Sequence, residues 1–198
     1  MTQKRRRGEE LEQAIYQAAL ELLKTKGVAN LSFSEVAALA QTSKSVIYRR
    51  WDSPFSLAIS AIQAKIIAEN NGRTDELILT GKSLRADLLQ LLQRFIVSMQ
   101  TFKDSNIVEL LGAANQKQNS TVKKLINEGN AIDVKAIDHV LERAKKRGEV
   151  TTVAFPVEVK LLPFNWLRYH LFINEHFTAR QLTILIDNIL LPVYQAVV

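Results

Sequence analysis

Apolar residues recur along most of this chain at the three- and four-residue spacing that lays one face of an α-helix against a core. Over 9–26 they fall at Leu11, Ile15, Ala18, Ala19, Leu22 and Leu23, and Gly27 then supplies a stop. Ser32-Phe33-Ser34-Glu35 reads as a capped helix start, with Ser32 as N-cap and Glu35 three residues on, for a short helix through Ala40. Gln41 and Thr42 make a turn, Ser43 serves as the next N-cap, and a second short helix runs to about Trp51. Ser53-Pro54 opens a helix carrying Phe55, Ala58, Ile59, Ile62 and Ile66, ended by Asn70-Asn71-Gly72.

After a loop over 74–81, Ser83 starts a helix marked by Leu84, Leu88, Leu91, Leu92, Phe95, Ile96 and Met99. Further helices are expected over 106–117, over 120–147, over 156–172 and over 178–196. The long one closes on Lys145-Lys146-Arg147-Gly148, cations and a glycine where the helix dipole favours them. The only β-type alternation is the brief stretch 150–153. The pattern therefore predicts an all-α protein of about nine helices. Its expected parts are a small helix-turn-helix domain with a basic arm over 1–53 and a larger helical domain over 54–198.

Composition supports a folded chain: 47% hydrophobic residues, 23% charged, and only 7 Gly and 4 Pro in 198 residues. No cysteine is present, so disulfides and thiolate ligands are excluded. His139, His170 and His176 lie too far apart for a metal motif, so no metal is expected. A glycine-rich phosphate loop, a nucleophile elbow and an acid-base pair are also lacking, so the expectation is neither an enzyme nor a cofactor protein. No apolar run reaches membrane length and none follows the basic start as a secretory signal requires, which suits a cytoplasmic protein.

The net charge is +6 and the pI about 9.6, a balance that favours a polyanionic partner. Lys4, Arg5, Arg6 and Arg7 form an arm without acids ahead of Glu9, Glu10 and Glu12. That arm is either a solvated tail or a strand that meets DNA phosphates or the minor groove. In the second short helix, Ile47 and Trp51 turn inward with Val36, Ala37 and Ala40, while Lys44, Ser45, Tyr48 and Arg49 share the opposite face. Such a face carries the groups that read bases and bind phosphates when a helix enters the major groove.

The residues 32–37 and 43–51, Ser-Phe-Ser-Glu-Val-Ala and Ser-Lys-Ser-Val-Ile-Tyr-Arg-Arg-Trp, resemble the signature of the TetR family of bacterial regulators. The resemblance implies that Ser32 and Tyr48 contact phosphates and that Lys44, Ser45 and Arg49 read or flank base edges beside Ser43. Val46 suits either a thymine methyl or core packing. Two departures stand out: Gln41 occupies a turn position where the family usually has Gly, and Pro54 stands where it often has Lys. A non-glycine residue at positive φ there costs about 1 kcal/mol.

The resemblance continues more loosely through Leu79 to Leu88, Arg143 to Glu149 and Leu190-Leu191-Pro192. It implies a homodimer formed by the last two long helices, for which Val157, Leu161, Leu182, Leu185, Ile186 and Ile189 are candidates. It also implies double-stranded DNA with a palindromic operator as partner, and a small-molecule effector. Candidate effector residues are Phe95, Met99, Phe102, Trp166, Tyr169 and His170, all of types that also fill helical cores. Pro163 is expected to kink its helix and free a carbonyl. The helix from Pro54 is the expected lever between ligand and DNA. The competing reading keeps the DNA binding but makes the C-terminal domain a surface for a protein partner.

Overall fold

The computed structural model describes residues 8–104, 119–173 and 178–196. The helix expected over 106–117, the arm residues Arg5, Arg6 and Arg7, and the side chain of Phe102 lie outside the described residues. Among the described residues all regular structure is helical, in eight helices, as the hydrophobic pattern predicts. The chain divides into two compact units, residues 1–69 with 101–123 and residues 70–100 with 124–198.

In the first unit, α1 (Glu9–Lys26) packs on α2 (Phe33–Leu39) and on α4 (Pro54–Glu69), and α2 packs on α3 (Lys44–Tyr48). Ile15, Ala19, Val36, Ile47, Leu57, Ala58, Ala61 and Ile62 are fully buried here. Each large aliphatic among them contributes roughly 1.5–3 kcal/mol by leaving water. Small residues at Ala19, Ala58 and Ala61 let the backbones of α1 and α4 approach closely. Serine chemistry sets the entry to α4: the Ser56 N–H donates to Ser53 Oγ and the Ser53 N–H to Ser56 Oγ, both at 3.1 Å.

The turn between α2 and α3 puts Gln41 at φ 54°, the left-handed conformation expected there. The Thr42 N–H donates to the Ala37 carbonyl at 2.9 Å and the Gln41 N–H to the Ala38 carbonyl at 3.2 Å. This pair of bonds is a Schellman ending, and it requires a positive φ at the residue Gln41 occupies.

The core of the second unit holds Leu88, Leu92, Phe95, Ile137, Val140, Leu141, Phe164 and Leu167, contributed by α5 (Leu84–Asp104), α6 (Asn119–Lys146) and α7 (Val157–Ile173). The last helix, α8, begins as Ala179–Ile184, widens into a π turn over Leu185–Leu190 and resumes as Leu191–Gln195. The Leu191 N–H reaches the Ile186 carbonyl, five residues back, and Pro192 follows with no N–H of its own. Proline clashes with the carbonyl four residues before it, and the wider turn moves that carbonyl away. The sequence pattern does not reveal this widening.

Pro163 lies inside α7 and has no N–H to offer the Val159 carbonyl four residues back; the Tyr194 hydroxyl donates to that carbonyl at 3.3 Å. The residues 150–153 form no strand: Val150 is buried and Val153 packs on the core, so their alternation pins an extended connector.

Among the described residues, buried charge is confined to paired sites. The Asp87 carboxylate, with no exposed surface, accepts from Arg143 Nε and Arg147 Nη2, each at 3.0 Å, while Arg143 Nη2 also donates to the Gly81 carbonyl at 2.8 Å. A Cβ on Gly81 would stand 2.5 Å from Asp87 Oδ1, so glycine is needed for this close approach. The Schellman ending of α6 at Gly148 (φ 75°) brings Glu149 round to accept from the Leu84 N–H and from Arg147. These contacts account for the 79–88 and 143–149 segments singled out in the sequence.

Candidate nucleic-acid interface

The candidate site is built on α2, the turn at Gln41 and α3. Ser32 caps α2: its hydroxyl accepts from the Glu35 N–H at 3.3 Å and donates to Glu35 Oε2 at 2.9 Å. The Glu35 carboxylate also meets the Lys26 ammonium on α1. Lys26 and the Ser32 hydroxyl hold the Glu35 carboxyl below its ordinary value. Ser32 is thereby tied to the scaffold while remaining partly exposed.

At the start of α3, Ser43 occupies the N-cap position, but its hydroxyl bonds that of Ser45 at 2.9 Å instead of the helix backbone. Lys44, Ser45, Tyr48 and Arg49 are exposed, with Lys44 and Tyr48 one turn apart and Ser45 and Arg49 likewise. Tyr48 keeps 61% of its surface accessible, and the Phe33 ring packs against it edge to face at 4.8 Å. That contact orients the phenol without covering its hydroxyl. Among the described residues neither Lys44 nor Arg49 is paired with an acid, so both stay available to an anion. Val46, at 8% exposure, packs inward beside Ile47.

Four residues outside the candidate contact set complete the head. Trp51 is buried, with the Tyr16 ring edge-on at 5.7 Å. The Tyr16 hydroxyl donates to Glu12 Oε1 at 2.8 Å, and Arg50 Nη1 lies 3.6 Å from Glu12 Oε2. Burial, aided by Glu12, pushes the Tyr16 phenol above its ordinary value, so it remains a donor. Trp51 and Arg50 stand more than thirty positions from Tyr16 and Glu12, where periodicity gives no signal. A groove of about 600 Å³ also runs along α1 and α4, with Tyr16, Leu20, Ala61, Ala64 and Ala68 among its walls.

Residues 15–54 match the family model described as bacterial regulatory proteins, tetR family. The match runs from within α1 to the first residue of α4 and so contains α2, the turn and α3. Relatives in Mycobacterium bovis and Mycobacterium tuberculosis, named uncharacterized HTH-type transcriptional regulators, are 26% identical over 179 residues, 87% of this chain and 82% of theirs. The DNA-binding transcriptional repressor TetR of Mycobacteroides abscessus is 32% identical over 144 residues, 72% of each chain.

The chain belongs to the TetR family. A crystal structure from a Rhodococcus species, described as a TetR-family transcriptional regulator, agrees in fold with a TM-score of 0.57. At 19% identity it covers 96% of this chain and 100% of its own. The protein is a TetR-family transcriptional regulator with an N-terminal helix-turn-helix, and regulators of this family bind DNA and act as dimers. Among the described residues, no helix is long and apolar enough to cross a membrane.

In this TetR-family chain the candidate effector residues fall into two groups. Phe95 is buried against Phe164, with ring centroids 5.0 Å apart, and the Arg168 guanidinium lies 5.2 Å from the Phe95 ring centroid; Met99 packs partly buried on the same core. Trp166, Tyr169 and His170 cluster on α7, with His170 at 4.0 Å from Trp166 and 5.3 Å from Tyr169. Of the candidate dimer residues, Leu161, Leu182, Leu185 and Ile186 are buried within their own chain and Ile189 partly so; Val157 is 52% exposed. Ile184 and Val193 are the large apolar side chains that α8 leaves exposed.

Proposed function

We propose that this TetR-family regulator is a ligand-responsive repressor that grips a palindromic operator as a homodimer and is released from it by a small apolar effector. The observation that carries the reading is the outer face of α3, where Lys44, Ser45, Tyr48 and Arg49 stand exposed and, among the described residues, no acid is paired to either cation. In this reading Ser32 and Tyr48 bind phosphates, Lys44, Ser45 and Arg49 meet base edges, and the arm with Arg5, Arg6 and Arg7 adds sequence-independent affinity. Residues 1–53 act as the reading domain and 54–198 as the effector and dimer domain of a cytoplasmic protein.

The two-fold axis of the dimer sets half-sites about 34–36 Å apart. A ligand releases the operator if it binds better to a dimer whose reading helices are wrongly spaced; a preference of about 1.4 kcal/mol is worth tenfold in affinity. The test is titration of the protein against its own upstream intergenic DNA, beside a Lys44→Ala, Tyr48→Ala variant. Saturable, salt-steep binding that weakens at least about tenfold in the variant is expected. Equal, weak binding by both would refute the assignment of α3.

A further inference from the structure

We propose that Glu12 is a positioning residue of the reading head: oriented by Tyr16, it keeps the Arg50 guanidinium on α1 and out of the set of cations that meet DNA phosphates. The inference rests on the DNA-gripping role proposed for α3. Three cations belong to α3 or to the turn that ends it, namely Lys44, Arg49 and Arg50. Of these, Arg50 is the one that faces an acid among the described residues, with Nη1 3.6 Å from Glu12 Oε2. The other carboxylate oxygen of Glu12 accepts from the Tyr16 hydroxyl at 2.8 Å. One oxygen is anchored and the other is offered to Arg50, as a phosphate would offer it.

Both ends of this arrangement are fixed. The Tyr16 ring is seated edge-on against buried Trp51. The backbone of Arg50 is held by its N–H, which donates to the Ile47 carbonyl at 2.9 Å. Only side-chain torsions separate an Arg50 resting on α1 from one that reaches a nucleic acid. The ion pair itself is loose, with side chains 36% and 40% exposed, so it is weak and easily rebalanced. Glu12 therefore sets how strongly Arg50 adds to binding without holding the fold together. Phosphate contacts raise affinity for every sequence alike, so withholding one preserves the ratio of specific to non-specific binding.

The test uses the full chain and a mixed-sequence duplex of about 30 base pairs, titrated by fluorescence anisotropy between about 50 and 200 mM salt, so that no operator is required. Glu12→Gln is expected to bind tighter at low salt, with a plot of log K against log salt steeper by about 0.9, one additional phosphate. Its affinity then falls about 3.5-fold further than the wild type's across that range. Arg50→Ala is expected to leave the wild-type slope unchanged and to abolish the gain of Glu12→Gln. Tyr16→Phe, which keeps the ring on Trp51 but drops the hydroxyl, is expected to reproduce part of the steepening. A Glu12→Gln variant with the wild-type slope overturns the proposal, as does a gain that survives Arg50→Ala, since Glu12 then only repels DNA. A wild type that binds no duplex even at low salt overturns the DNA-reading role itself, a different result from binding that ignores Glu12.

Discussion

Single residues place the reading face. Phe33 sits under Tyr48, Ser32 is clamped through Glu35 to Lys26, and Gln41 turns the chain through a left-handed conformation that glycine adopts without strain. Gln41 was readable through the resemblance to the family, which usually has Gly at this turn position and so implies a positive φ. The seating of Val46 was not, since an aliphatic residue next to Ile47 on a one-turn helix can point either way. Replacing Gln41 by Gly removes the left-handed strain and is expected to stabilise the protein by about 1 kcal/mol. Urea denaturation followed through Trp51, in a Trp166→Phe background, measures this directly. A loss of stability would mean that the Gln41 side chain contributes more than its backbone costs.

At the scale of elements, the two prolines explain the irregular helices of the second unit. Pro163 frees the Val159 carbonyl and Tyr194, almost fully buried, returns to it; Pro192 is preceded by the π turn of α8. Burial pushes the Tyr194 phenol above its ordinary value, so it stays a hydrogen-bond donor. Tyr194→Phe keeps the ring against Phe155 but strands the carbonyl, and is expected to cost about 1–2 kcal/mol. In a Pro163→Ala background the helix regains its own N–H for Val159, and the same substitution is expected to cost less. Equal costs in both backgrounds, measured by denaturation, would show that the hydrogen bond does not act as described.

For the molecule as a whole, buried charge links folding to pH. Burial raises the Asp133 carboxyl from 3.8 to about 6, against the lowering influence of its partner Arg168. The folded chain therefore holds this proton more tightly than the unfolded chain. The resulting stabilisation is complete below about pH 4 and is lost as pH rises through about 6. Asp75 works in the opposite sense: despite burial, hydrogen bonds from Lys135 and Arg73 keep its carboxyl below the ordinary value, and its contribution is lost only in stronger acid. Unfolding followed through Trp166, with Trp51→Phe, is expected to show Asp133→Asn flattening the decline between about pH 4 and 6.5. An unchanged profile would place the titration elsewhere.

The sequence by itself determined the all-helical class, most helix starts and the outward set Lys44, Ser45, Tyr48 and Arg49. These follow from short-range rules: periodicity, capping and turn chemistry act over four residues or fewer. The same rules stop short of the long-range pairs. Tertiary structure alone decided that Glu12 reaches Arg50 and Tyr16 reaches Trp51, that Asp87 joins Arg143 and Arg147, and that Tyr194 answers Pro163. It also decided that Leu182, Leu185 and Ile186 fill their own core, leaving Val157, Ile184 and Val193 exposed on α7 and α8. The physical reason is that an apolar stripe states which face of a helix leaves water, and only packing states which neighbour covers it.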